Sequence, residues 1–245
     1  MKIIKTAGLR FLADEPMETW RAKTLITKEE GTVRWIQREV KPGEVFVDVG
    51  ASTGIYSLLA AQQGAMVYAF EPHILSARSL IINVCLNHMH DRVKLLTCAL
   101  HSRMVFKSFN YKGFEPGSSG GQFGHTRNET GDMFVPVLSE IKFATDFDRL
   151  VTLGDVPAPH HVKIDVDGNE LEVLRGMAWC FGRDRPLRSV QVEMHPVTST
   201  GIAEFMASWR FEEADRHYTS LGKEAMASGV DPSKVFSNAV FMRRL

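Results

Sequence analysis

From Val45 onward, short β-branched apolar runs alternate with stretches whose apolar residues recur at helical spacing, the pattern of βαβ units built on a parallel sheet. VFVDV is the first run. It breaks at Gly-Ala-Ser-Thr-Gly and passes into IYSLLAAQQG, where Ile55, Leu58, Leu59 and Gln62 share one helical face before Gly64 closes the helix. MVYAFE reads as the second strand, a helix follows from about Leu75 to Leu86, and VKLLTCAL reads as the third strand after the turn at Asp91. The alternation returns at HHVKIDV, then a short helix NELEVLRGM, then the strand SVQVEM and a helix over roughly Gly201 to Trp209. NAVFMRR suits a closing strand, expected to be antiparallel on an otherwise parallel α/β sheet.

Two segments depart from this pattern. Residues before about Lys41 read as mainly helical, with KEEGTVRWIQREV an amphipathic lead-in that Pro42 and Gly43 terminate. The expectation is a helical lead-in over 1–41 packed on a single domain over 42–245. Between His101 and Asp146 the alternation weakens, and GFEPGSSGGQFGHTRNETGD is rich in glycine, serine and charge, so 101–146 reads as a loop or β-hairpin insertion within that domain. Carrying Phe114, Phe123 and His125, it is either a lid over a ligand or an idle loop.

Composition narrows the class. Of 245 residues, 44% are apolar and 24% charged, as in ordinary globular proteins. Lys and Arg number 29 against 29 Asp and Glu, so no net field draws the chain onto nucleic acid or an anionic membrane. A small-molecule partner is expected, with no nucleic acid and no membrane span; oligomeric state leaves no mark in the pattern. Cys85, Cys98 and Cys180 are odd in number and sit in apolar contexts, reading as reduced core thiols, and MKIIKTAGLRFLADEP lacks a signal-peptide core. A cytoplasmic location is the simplest expectation.

The candidate chemistry starts at VDVGASTG, the first βα turn, where open α/β sheets bind ligands. Gly50 and Gly54 free the backbone to turn sharply beside a ligand, Ser52 lies between them, and the following helix offers N–H groups at its start. That setting suits a carboxylate as well as a phosphate. Asp48 would repel a pyrophosphate but pair with the α-ammonium of S-adenosylmethionine. GASTG also lacks the G-x-G-x-x-G of nicotinamide enzymes. Glu71, about twenty residues beyond the turn and at the end of the second strand, is placed to accept both ribose hydroxyls; a solvated carboxylate before Pro72 is the bland alternative.

VFVDVGASTGIYSLLAAQQGA, AFEP, VKIDVDGNELEVLRGM and VEMH together resemble the successive blocks of the FkbM family of methyltransferases, over most of Val45 to His195. TDFDRLV and the closing NAVFM are weaker echoes. The resemblance implies a Rossmann-like class I methyltransferase fold with a seven-stranded sheet and, most often, O-methylation of a hydroxyl on a sugar, polyketide or other metabolite. This chain departs from the family in GASTG where GANxG is frequent, in Asp167 where glutamate is usual, and in Phe147 for leucine.

An aliphatic hydroxyl is a poor nucleophile, so methyl transfer to it wants a base or a metal. Asp165, ending KID, is placed to contact the cofactor, take a proton or hold a divalent ion; capping the helix near Asn169 is its competing role. Glu193 and His195 alternate around Met194 at the end of the fifth strand, so both project to one side as candidate base and orienting acid. Asp165 with Glu193 would suit Mg2+. Lys163 pairs with Asp165 or Asp48 or reaches for the strand end, and Asp148 is the expected cap of a helix before Leu150. The alternatives to an O-methyltransferase are a module that binds S-adenosylmethionine without catalysis and a nicotinamide-dependent oxidoreductase.

Overall fold

The computed structural model describes residues 1–127, 131–231 and 235–244. The helical lead-in begins only at Pro16, because the first twelve residues form a hairpin of β1 (Ile3–Thr6) and β2 (Leu9–Leu12). Ala7 and Gly8 between them take φ of 51° and 80°, the positive pair whose twist matches antiparallel strands. Helices α1 (Pro16–Thr24) and α2 (Glu30–Glu39) follow.

The next elements are β3 (Val45–Val49), α3 (Ile55–Gln62), β4 (Met66–Phe70), α4 (Ile74–Leu86) and β5 (Val93–Leu96). VKLLTCAL is thus split: β6 (Ala99–Leu100) leaves the main sheet and joins β7 (Val105–Tyr111), β8 (Gln122–Phe123) and β9 (Leu138–Thr145) in a second, four-stranded sheet. Residues 128–130 of the glycine-rich segment lie outside the described residues. The chain continues through α5 (Phe147–Leu153), β10 (His161–Ile164), α6 (Glu170–Arg175), β11 (Ser189–Met194) and α7 (Ser199–Ser208). It ends with β12 (Phe211–Tyr218), α8 (Ser220–Ala227) and β13 (Ser237–Arg243). Strand β12 escapes a search for apolar runs because its EEADR is solvent-facing on a sheet edge.

The main sheet has seven strands in the order β12-β13-β11-β10-β3-β4-β5, with β13 antiparallel to both neighbours and the other pairings parallel. The order reverses between β3 and β10, the crevice where such sheets bind ligands. Both faces are covered, so β3 is buried at all five positions. Val45, Val47 and Val49 pack with Val162 and Ile164 under the α5–α7 face, whereas Phe46 faces Trp35, Leu58 and Leu59 on the other. Asp48 shares the Phe46 side, so the helices that bury the sheet also bury its carboxylate.

Candidate active site

The glycine turn is held by backbone geometry. Gly50 has φ of 79°, and a Cβ there would lie 1.9 Å from the carbonyl oxygen of Asp165. Gly54 has φ of 82° at the start of α3, and its Cβ would meet Leu80 Cγ at 2.7 Å. Ser52 also takes a positive φ, 50°, and donates its N–H to Glu71 Oε2 at 2.6 Å. Glu71 Oε1 accepts the N–H of His73 at 2.7 Å, so one carboxylate ties the end of β4 to the turn. Burial pushes Glu71 up to about 7, against these two N–H groups, which favour its charge. Each oxygen keeps acceptor capacity for a ligand hydroxyl.

Below the turn lies a buried ionic cluster. Lys163 and Asp48 are register partners on β10 and β3, and Lys163 Nζ donates to Asp165 Oδ2 at 2.7 Å. Burial opposes the ammonium charge, but Asp165, Asp48 and Glu29 outweigh it and hold the lysine above its usual value. Burial likewise acts to raise Asp165, yet Lys163 dominates and keeps that carboxyl well below the usual range. Asp165 is therefore held as an anion paired with Lys163. Asp48 Oδ2 accepts from Ser57 at 2.6 Å, while Oδ1 is buried without a partner, as are Ser52 Oγ and Tyr56 Oη. Unpaired acceptors beneath a glycine cradle fit a ligand that brings an ammonium and hydroxyls.

Glu193 and His195 do project to one side, while Met194 enters the core. His195 Nε2 lies 2.9 Å from Glu193 Oε2 and 3.5 Å from Glu170 Oε1, close enough for ion pairing but without hydrogen-bond geometry. Burial disfavours the imidazolium, but the two carboxylates overcome it and push His195 up to about 11. Burial, with the charge of Asp165, pushes Glu193 up to about 8. A cavity of about 330 Å3 reaches His195 but neither Glu170 nor Glu193, and Met194, Pro196, Thr200 and Arg216 help to line it. A larger one, about 460 Å3 between His101, Lys107, His125 and Glu172, touches neither the glycine turn nor Glu71, Asp165 or His195.

The segment joining β7 and β8 lies across the crevice. Arg21 donates to Gly117 O at 2.7 Å, Gly117 N–H reaches Ser76 at 3.0 Å, and Gly120 N–H reaches Asp167 Oδ2 at 2.7 Å. Glu170, Arg21 and Asn83, which bonds β2 at Leu12 and the turn at Thr53 O, escape a motif reading. Only Glu170 had a signal, its place in the NELEVLRGM block beside Asp165. Asp148 is not the cap of α5; Asp146 accepts the Arg149 N–H at 2.9 Å, and Asp148 in the first turn instead receives Trp179 N–H at 2.7 Å. Cys85 is exposed, its half-turn facing outward from α4, while Cys180 is buried.

Sheet order, glycine turn and strand-end acid define a class I S-adenosylmethionine-dependent methyltransferase. Residues 48–220 match the methyltransferase FkbM domain, and the chain belongs to that family. It is 31% identical over 186 residues to the hexuronic acid methyltransferase AglP of Haloferax volcanii, covering 76% of this chain and 70% of that protein. It is 28% identical over 183 residues to 31-O-demethyl-FK506 methyltransferase FkbM of Streptomyces tacrolimicus, covering 65% and 68%. The fold is shared with magnesium protoporphyrin IX methyltransferase of Synechocystis PCC 6803, solved with bound SAM, at a TM-score of 0.50 and 12% identity over 93% of this chain and 82% of that one. Among the described residues, no helix is long and apolar enough to cross a membrane.

Proposed function

We propose that this enzyme methylates a hydroxyl of a small metabolite such as a sugar or polyketide, with Asp48, Gly50, Ser52, Gly54 and Glu71 holding the donor. S-adenosylmethionine, when bound, supplies an electrophilic methyl group on a sulfonium centre. Asp48 would face its ammonium, the start of α3 its carboxylate, and Glu71 its ribose. The observation that carries the proposal is the glycine turn tied to Glu71 at the ends of β3 and β4, on the same sheet as the cavity that reaches His195 past β11. An acceptor seated in that cavity would meet His195, backed by Glu193 at 2.9 Å, and the pair would orient its hydroxyl. Asp165, neutralised by Lys163, serves between them as a fixed charge beside the donor. For the same reason a magnesium ion shared by Asp165 and Glu193 finds less support. Balanced net charge favours a small molecule over nucleic acid, and unpaired cysteines favour a reducing cytoplasm.

The test is release of S-adenosylhomocysteine with a panel of hydroxylated sugars, uronic acids and polyketides, followed by NMR of the product. A methyl ether is expected. Binding of S-adenosylmethionine with no turnover on any acceptor would instead indicate a binding module, and an N- or C-methyl product would overturn the hydroxyl assignment.

A further inference from the structure

Unpartnered polar atoms are concentrated at the end of β11. Glu170 Oε2, Glu193 Oε2 and both ring nitrogens of His195 are buried without a hydrogen bond, although His195 is only 1% exposed and Glu170 wholly enclosed. Leaving such groups unsatisfied costs about 1–3 kcal/mol each; Glu170 Oε2 and His195 Nδ1 lack any such partner, and His195 Nε2 meets the carboxylates only as ion pairs, at 2.9 Å to Glu193 and 3.5 Å to Glu170, so the three touching residues ask for a ligand. One oxygen from each glutamate and one histidine nitrogen lie within 4.8 Å of one another, as the ligands around a single ion do.

We propose that Glu170, Glu193 and His195 form a binding site for a divalent transition-metal ion, with its open side toward the cavity at Pro196, where the ion polarises the acceptor hydroxyl. The proposal rests on the acceptor entering that cavity. Two carboxylates supply the charge that balances a divalent ion, and the imidazole selects Mn2+, Fe2+ or Zn2+ over Mg2+ and Ca2+, which prefer oxygen. The ligands are already oriented: Glu170 Oε1 accepts the N–H groups of Gly168 at 2.9 Å and Val166 at 3.2 Å, and the Phe236 ring packs edge-on against the imidazole at 4.8 Å. An ion held there would lower the pKa of a hydroxyl placed beside it, and the hydroxyl proton would leave to solvent through the cavity.

The full chain, stripped with EDTA, is titrated with MnCl2 while free Mn2+ is followed by electron paramagnetic resonance. One ion per chain is expected, with affinity lowered about 100-fold or more in His195→Ala and Glu170→Gln. Should Glu170→Gln fail to fold, Glu193→Gln, at the more open position, carries the same comparison. Unchanged Mn2+ affinity in His195→Ala, or equal competition by Mg2+, overturns the site. Absence of Mn2+ binding by a chain that still methylates acceptors overturns it too and leaves the methyl-transfer assignment standing. Binding with the expected losses but without turnover on any acceptor supports the ion site and counts against the proposed acceptor chemistry.

Discussion

The two open places along the sheet are built from different materials. Around β3 and β4 the chain uses backbone: positive φ at Gly50, Ser52 and Gly54, N–H groups of Ser52 and His73, and a single carboxylate, Glu71, drawing them together. Beyond β11 it uses side chains: Glu170, Glu193 and His195 converge from α6 and β11 with more charge than hydrogen bonding. A backbone-made cradle recognises a fixed feature common to many enzymes, while a side-chain cluster can be retuned residue by residue for one acceptor. The difference teaches that donor and acceptor functions should fail separately when each end is altered.

The largest effect is expected for Gly50→Ala. A Cβ 1.9 Å from Asp165 O cannot be accommodated without moving both loops, so a loss of about 3 kcal/mol or more in stability and of donor binding should appear in thermal melts and calorimetry. Wild-type behaviour would break the claim that backbone geometry makes the donor end. Glu193→Gln should reduce turnover by about 10²–10⁴-fold while leaving S-adenosylmethionine affinity within roughly twofold. A parallel fall in donor affinity would show that the two ends are not separable.

Asp165→Asn sits between them. It strands the buried Lys163 ammonium, softened by Asp48 and Glu29, and should cost about 3 kcal/mol in denaturant titrations, partly recovered by adding Lys163→Met. No recovery would mean that the stranded Lys163 charge is not the source of the loss. Glu71→Gln should weaken donor binding by about tenfold, close to 1.4 kcal/mol, without changing turnover at saturation.

The smallest effect is in pH. Glu71 is raised to about 7, so the folded chain binds its proton more tightly than the unfolded one. Its contribution to stability without donor is then full below the usual carboxylate range and is lost as pH rises through about 7. Donor affinity should run the other way, rising over the same window as the carboxylate ionises to accept the ribose hydroxyls. Glu71→Gln should flatten both curves; a persistent slope would assign the titration to another group.

Much of the glycine turn was legible because its determinants are local. Gly50, Gly54 and Glu71 announce themselves by spacing after two apolar runs, and the structure brings Ser52 and Glu71 together at 2.6 Å. The acceptor end was half legible. Alternation around Met194 predicted that Glu193 and His195 share a side, but not that Glu170 joins them, since a six-residue helix and a strand remote in sequence must first pack. Nor did residue types foretell charge states. Against burial, Glu170 and Glu193 raise His195 and Lys163 lowers Asp165, fields that no residue type carries by itself.

The sequence by itself determined the βαβ order, the glycine turn and the closing antiparallel strand, because hydrophobic period, glycine and strand-end acids act within a few residues of one another. Only the tertiary structure decided that Ala7 and Gly8 turn a hairpin, that β6 leaves the main sheet, that the segment after β7 lies over the crevice, and which groups gather at the end of β11. Those outcomes depend on burial and on the fields of distant residues, and neither quantity exists until the chain has folded.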